Sequence, residues 1–380
     1  MLLVALVLAG CAMGDMFPGR SAPQAPVQPD LPQVSPTAAK VALILPLTGQ
    51  GETSRIGTAL KQAGELAMFD ATDPDIELIT KDSRGTSEGA AAAAREALAE
   101  GAEIILGPLL AGEVQAVSAV ARQDNVPVVA FSTISSVAGP NTYLLSFLPD
   151  EEVAQVVRYA ADNGGRRVAA LVPDSPFGTT IERALTTSAK VYGAQVAAVE
   201  RYELTSQGLA MAADRTARAV QDGAAHAVML PEGGEALRQA GAALRQSGFQ
   251  PGDARILGTG AWDDPRIGTI PIAVGGWYAG VPAANLSRFQ QRYGQAYGGQ
   301  PPRIASLAYD AVSLAIILAR ESGDRFSTAR LTNPEGFQGI NGLFRFRPNG
   351  LVERGLAILE VTPSGPRTLA PAPDRFGAGF

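Results

Sequence analysis

The sequence predicts an α/β fold of two doubly wound, Rossmann-like lobes. Short apolar runs alternate with stretches of helical period along most of the 380 residues. The alternation restarts near residue 151, after one complete series. The length suits two domains at roughly 100–200 residues each.

The elements follow in order. Residues 40–47 (KVALILPL) are apolar on both faces, as a buried parallel strand requires, and end at Thr48-Gly49. A helix is expected over 54–71, where Ile56, Leu60, Ala63, Leu66 and Ala67 recur at helical spacing. IELIT (76–80) is the second strand, and Thr86 and Ser87 can cap the helix that runs through AAAAAREALAEG. AEIILG (102–107) is the third strand, followed by a helix over 111–123 and the strand VPVVAF (126–131), which ends at Ser132-Thr133. The second series opens with a helix over 151–163 and the strand RRVAALVPD (166–174), which ends at Asp174. Helices over 178–192, 208–222 and 233–247 then alternate with strands over 194–202, 226–231 and 254–260. Residues 304–320 read as a strongly apolar helix, and 343–361 as a hairpin turning at Asn349-Gly350.

Composition narrows the chemistry. A net charge of −6 argues against a nucleic-acid partner, which needs basic surface to displace counterions. One Cys and one His leave no Cys/His zinc site and no Cys–His dyad of the usual kind, so no metal or cofactor is expected. His226 begins an apolar strand, the place of a strand-edge residue rather than a general base. Gly258-Thr259-Gly260 lacks the third glycine of a dinucleotide fingerprint, and neither a P-loop, a G-x-S-x-G elbow nor an S-x-x-K occurs. The pairs Glu151-Glu152 and Asp263-Asp264 fall at helix starts or turns, where acidic groups suit the helix dipole. The expectation is a protein that is not an enzyme.

The N-terminus reads as an address. MLLVALVLAG (1–10) is too short to span a bilayer, which takes about 20 residues, and resembles the core of a secretory signal. Leu8-Ala9-Gly10-Cys11 matches the bacterial lipobox, with the chain's sole Cys, Cys11, at the lipidated position. Ala12 follows rather than Asp, which by family rules implies anchoring to the inner leaflet of the outer membrane. Residues 12–37 carry six prolines and form an extended tether that reaches roughly 80 Å at most.

Two α/β lobes, the opening KVALILPLTG, and a late apolar helix followed by a hairpin resemble the type I periplasmic-binding-protein fold over residues 40–362. The segments IILGPLLAGEVQAVSAVARQDNVPVVAFST and YLLSFLPDEEVAQVVRYAADNGGRRVAALVPDSPFG, with the closing GINGLFRFRPNGLVERGLAILEV, are similar to lipoprotein activators of penicillin-binding proteins. The resemblance implies lobes joined by three crossings, placed near Phe147, Trp277 and Phe337. It gives a signal peptide (1–10), a lipidated tether (11–38), lobe 1 (39–147 and 277–337), lobe 2 (148–276 and 338–362) and a tail (363–380).

Ligands of open α/β sheets bind beyond the carboxyl ends of the strands. The candidates there are Thr48, Gly49, Ser132, Thr133, Asp174, Phe177, Glu232, Trp262 and Asp263. The amino-acid-binding branch of the resembling fold holds a carboxylate with hydroxyls and helix N-terminal amides, and an amine with an acid on the other lobe. Ser132 and Thr133 match the hydroxyl pair, and Asp263 or Glu232 the acid; a turn or cap is the alternative for the hydroxyls, and a packed aromatic for Trp262. Gly107-Pro108-Leu109-Leu110 departs from that branch, with no hydroxyl and no N–H on Pro108. The function implied is an outer-membrane lipoprotein that binds and activates a peptidoglycan synthase (a penicillin-binding protein). The alternative is the substrate-binding subunit of an ABC transporter for amino acids or a small amide, with a small molecule in the cleft.

Overall fold

The structure is a computed structural model describing residues 38–281 and 283–377. The apolar leader, Cys11 and nearly all of the tether lie outside the described residues.

Lobe 1 is built from β1 (Ala39–Leu45), α1 (Glu52–Asp70), β2 (Ile76–Asp82), α2 (Ser87–Ala99), β3 (Ile104–Leu106), α3 (Ala111–Ala121), β4 (Val128–Ala130) and β5 (Thr142–Leu144). All five strands are parallel in the order β2-β1-β3-β4-β5. Leu43, Ile44 and Leu45 are fully buried, each stabilising the lobe by about 1.5–3 kcal/mol. The expected cap forms: the Thr86 hydroxyl accepts the Gly89 N–H at 3.0 Å.

Lobe 2 repeats the plan with α4 (Pro149–Asp162), β6 (Arg167–Pro173), α5 (Pro176–Tyr192), β7 (Gln195–Tyr202), α6 (Ser206–Gln221), β8 (Ala227–Met229), α7 (Gly234–Gln246), β9 (Arg255–Leu257) and β10 (Trp277–Gly280). Its sheet runs β7-β6-β8-β9-β10, the same order as lobe 1. The chain then returns to lobe 1 as α8 (Ala283–Tyr297), α9 (Ser306–Ala319) and the short α10 (Thr328–Leu331). Phe289, Leu307, Val312 and Leu331 join the lobe 1 core.

The last segment departs from the expected boundaries. β11 (Phe337–Gly339), β12 (Gly342–Phe346) and β13 (Val352–Arg354) form a small antiparallel sheet. Phe337, Phe344, Phe346 and Val352 are buried in the lobe 1 core, and Leu144 N–H donates to Gly350 O at 2.8 Å. Residues 338–354 therefore belong with lobe 1, not lobe 2. β14 (Ala357–Thr362) then pairs antiparallel with β10, and β15 (Gly365–Ala370) pairs with β14. The crossings fall near Phe147, just after β10, and at Gly355-Leu356, instead of at Trp277 and Phe337. Trp277 stays in the lobe 2 sheet, and the expected tail supplies that sheet's edge strand. The Asn349-Gly350 hairpin forms between β12 and β13, and its continuation leaves for the other lobe.

Candidate functional site

Each lobe's switch point lies where the strand order reverses, between β1 and β3 in lobe 1 and between β6 and β8 in lobe 2. The loops at those strand ends carry most of the expected site residues.

In lobe 1 the loop after β1 is tied down from β2. The Asp82 carboxylate accepts the Leu47 N–H at 2.9 Å, the Thr48 N–H at 3.3 Å and the Thr48 hydroxyl at 2.5 Å. Burial pulls the Asp82 pKa up, but these bonds and the Arg84 amide outweigh it and hold it below the usual carboxylate range. Thr48 is thus a structural hydroxyl engaged with Asp82. Gly49 packs beside Gly85 at the same turn.

The loop after β3 is tighter still. Gly107 has φ +84°, and a Cβ there would lie 2.2 Å from Ile44 O, so only glycine fits between the strands. The Gly107-Pro108 peptide is cis, and Pro108 O accepts the Phe131 N–H at 2.9 Å, which fixes Ser132 and Thr133 beside this loop. Ser132 is buried and its hydroxyl accepts the Ile134 N–H at 3.2 Å. Thr133 is exposed. The turn reading therefore fits Ser132, and Thr133 is the hydroxyl open to solvent.

The N-terminus of α3 is capped from within the chain. Glu113, 1% exposed, accepts the Leu110 N–H at 3.1 Å and the Ser83 hydroxyl at 2.6 Å. Burial pushes the Glu113 carboxyl up, against the Ser83 hydroxyl and the Leu110 and Leu109 amides. A helix N-terminus holds anions through its free amides and dipole. Here the chain's own Glu113 carboxylate caps the turn just before the helix, at the Leu110 N–H, and adds a negative charge beside that terminus. Sequence reading missed Glu113, although an acid three residues after a helix's first capping position is a recognisable pattern.

In lobe 2, Asp174 follows β6 and pairs with Arg201 at 3.3 Å, on the exposed side of the loop. Phe177 opens α5 at 36% exposure, and a Cβ on the next residue, Gly178, would lie 1.9 Å from Pro173 O, so the helix starts against the strand end. Glu232 follows β8, half-buried, and accepts the Tyr202 hydroxyl. Desolvation raises its pKa. Trp262 is 0% exposed, roofed by Gly258 and Gly276, and donates Nε1–H to Glu232 O at 3.0 Å. Its indole supports the Glu232 loop from below; as a cleft contact it is corrected to a core residue.

Asp263 faces away from the role of an amine partner. It pairs with Arg303 Nε at 3.3 Å, and Arg303 Nη1–H also donates to Gly260 O at 2.8 Å. Arg303 lies in the helical turn before α9, in lobe 1, so this is a tie between lobes. Buried Glu152, on α4, accepts the Gly260 N–H at 2.8 Å; burial raises its pKa, offset by Arg303 and that amide. A second tie joins Arg347, just past β12, to Glu151 on α4 at 3.1 Å. Phe147, at the first crossing, lies 4.2 Å from the Arg303 guanidinium and 4.9 Å from that of Arg354. Phe147 was expected at a crossing, and Glu151, Glu152 and Asp263 were noted in other roles; Arg303, Arg347 and Arg354 were not singled out from sequence.

Among the described residues no group of three His, Cys, Asp or Glu side chains is placed to hold a metal ion.

A family model described as "Periplasmic binding protein" matches residues 38–366. Solved structures share the architecture. A branched-chain amino acid ABC transporter periplasmic ligand-binding protein from Burkholderia xenovorans is 16% identical, with TM-score 0.70, covering 87% of this chain and 94% of that one. The leucine-binding protein LivK from Thermotoga maritima is 20% identical, with TM-score 0.60, covering 89% and 99%. A solute-binding protein of an ABC transporter from Rhodopseudomonas palustris, in complex with 3,4-dihydroxybenzoic acid, is 19% identical, with TM-score 0.62, covering 90% and 98%. No curated protein gives a significant match.

Proposed function

The chain belongs to the periplasmic binding protein family, and from that premise we propose that it captures a small solute between its lobes for an ABC transporter. The family is periplasmic and solute-binding, and its members are typically not enzymes. The finer reading concerns the ligand. Glu113 places a carboxylate at the start of α3, accepting the Leu110 N–H and the Ser83 hydroxyl, and so puts a negative charge beside the terminus where an α-amino acid's carboxylate would be held. On the facing lobe, half-buried Glu232 keeps a carboxylate beside Tyr202. A solute bearing an amine and a neutral amide suits this pairing better than a free amino acid does. The single observation behind the choice is the internal Glu113 cap. A thermal-shift screen of the purified protein against amino acids and their amides tests it. The reading expects amides to raise the melting temperature and free amino acids to leave it nearly unchanged; the reverse order overturns it.

A second reading, activation of a peptidoglycan synthase by direct contact, is favoured by one feature. The Arg303 and Arg347 ties link the two lobes across the hinge, which suits a docking scaffold. Reconstitution with purified peptidoglycan synthase separates the readings. A rise in synthase activity that needs no cleft ligand supports the scaffold. Anchoring through Cys11 serves either reading.

A further inference from the structure

The amino ends of the lobe 2 strands carry a second concavity, on the side of the sheet away from the interlobe cleft. It measures about 390 Å³, within the range of small-molecule sites. Its walls come from the turn before β6, from His226 before β8, from the end of α7, and from the segments leading into β9 and β10. The lining combines an apolar body with a cationic rim.

The apolar part is Phe249, Ile256, Ile272 and Trp277, all buried, with Val274 exposed at the edge. The Trp277 ring lies between Arg255, whose guanidinium is 4.4 Å from the ring centroid, and Tyr159, packed edge-on at 5.0 Å. Arg255 is held there by a 2.6 Å hydrogen bond to Gly275 O.

The polar part is basic. Arg245 lies on the last turn of α7, exposed, and no hydrogen bond or ion pair engages its guanidinium among the described residues. His226 Nε2 faces Arg167 Nη2 at 2.5 Å. An arginine only donates, so Nε2 is the acceptor and the ring's N–H is left on Nδ1. The one acid in the lining, Asp253, already accepts the Gln250 N–H at 2.7 Å. A planar apolar surface next to two arginines and a histidine, with a single acid in the lining, is a basic patch in a chain whose net charge is −6.

We propose that this concavity is a second ligand site, for an organic anion with a planar or branched apolar body and one carboxylate. The body packs against Phe249, Ile272 and the edge of Trp277, and the carboxylate meets Arg245, with Arg255 beside it. The site is independent of what the interlobe cleft binds.

The probe is naphthalene-2-carboxylate, titrated into the purified full-length protein by calorimetry, with naphthalene-2-carboxamide as its neutral counterpart. The carboxylate is expected to bind at least about tenfold more tightly than the amide, as one charge-assisted hydrogen bond requires. Arg245→Glu changes an exposed helix residue, so the fold survives, and it is expected to remove the preference for the carboxylate. Equal binding of acid and amide, binding of the acid unaltered by Arg245→Glu, or no binding of the acid would each overturn the proposal. Occupancy of the cleft instead would show as binding that Arg245→Glu leaves intact, which is among the overturning results.

Discussion

Burial of Glu151, the α4 partner of Arg347, makes stability depend on pH in an unusual direction. Glu151 is nearly buried at the first turn of α4, and its pKa rises from an ordinary 4.5 to about 7. Burial is the main cause; Arg347 opposes it, while Glu353 and Asp150 add to it. A carboxyl with a raised folded-state pKa binds its proton more tightly in the folded than in the unfolded chain. Its contribution is therefore most favourable below 4.5 and is lost as pH rises through about 7. The shift of about 2.5 units, at 1.36 kcal/mol each, corresponds to about 3 kcal/mol. Glu151→Gln keeps the shape and removes the titration. Urea unfolding of both proteins from pH 4.5 to 8 reads the difference, in which the other raised carboxyls cancel. The variant is expected to match the parent near pH 4.5 and to exceed it by about 3 kcal/mol at pH 8. A difference that is flat with pH, or a parent that gains on the variant as pH rises, would refute the reasoning.

Three further outcomes follow from the site. Glu113→Ala unpairs the Ser83 hydroxyl and the Leu110 amide and should cost about 2–3 kcal/mol in urea unfolding at pH 8, with part recovered in added acetate as the vacated helix terminus takes an anion. Trp262→Ala, in the lobe 2 core, should cost about 3–5 kcal/mol by the same assay, while Phe177→Ala, at the edge, should stay within about 1 kcal/mol. Cys11→Ser should move the protein from the membrane to the soluble periplasmic fraction, and persistence with membranes would contradict the lipobox reading.

The lobes were legible because a buried parallel strand and an amphipathic helix each leave a local pattern. β1, β6 and α9 are examples, and the Thr86 cap and the Asn349-Gly350 turn carry their own side-chain chemistry. What failed was assignment to a lobe. The runs at 277–280 and 342–354 were placed in the wrong lobe, while 357–362 lies in lobe 2 as assigned; nothing local states which sheet a strand joins. The second hairpin strand β13 looked continuous with β14, and only the turn-out at Gly355-Leu356 sends the chain across. Three-residue strands such as β5 are too short to show a period. At the site, Asp174, Phe177, Glu232 and Thr133 fell at strand ends as expected. Trp262 and Asp263 also follow a strand, β9, but an indole beneath two glycines and an arginine arriving from the other lobe are long-range facts that turn both away from the expected roles. Glu113 was the reverse case: its three-residue offset from Leu110 is local, and it was overlooked because Leu110 is not a capping residue type.

On the proposed function the cleft recognises its solute through the lobe 2 carboxylate Glu232, while Glu113 keeps a negative charge at the start of α3. Calorimetry of leucine and leucinamide, run side by side on the purified protein, tests it most directly. Leucinamide keeps the amine for Glu232 and has no carboxylate to compete with Glu113. The account predicts that leucinamide binds at least about tenfold more tightly than leucine, the worth of one charged hydrogen bond not made. Leucine binding at or below about one micromolar, abolished by Ser132→Ala with Thr133→Ala, would contradict it.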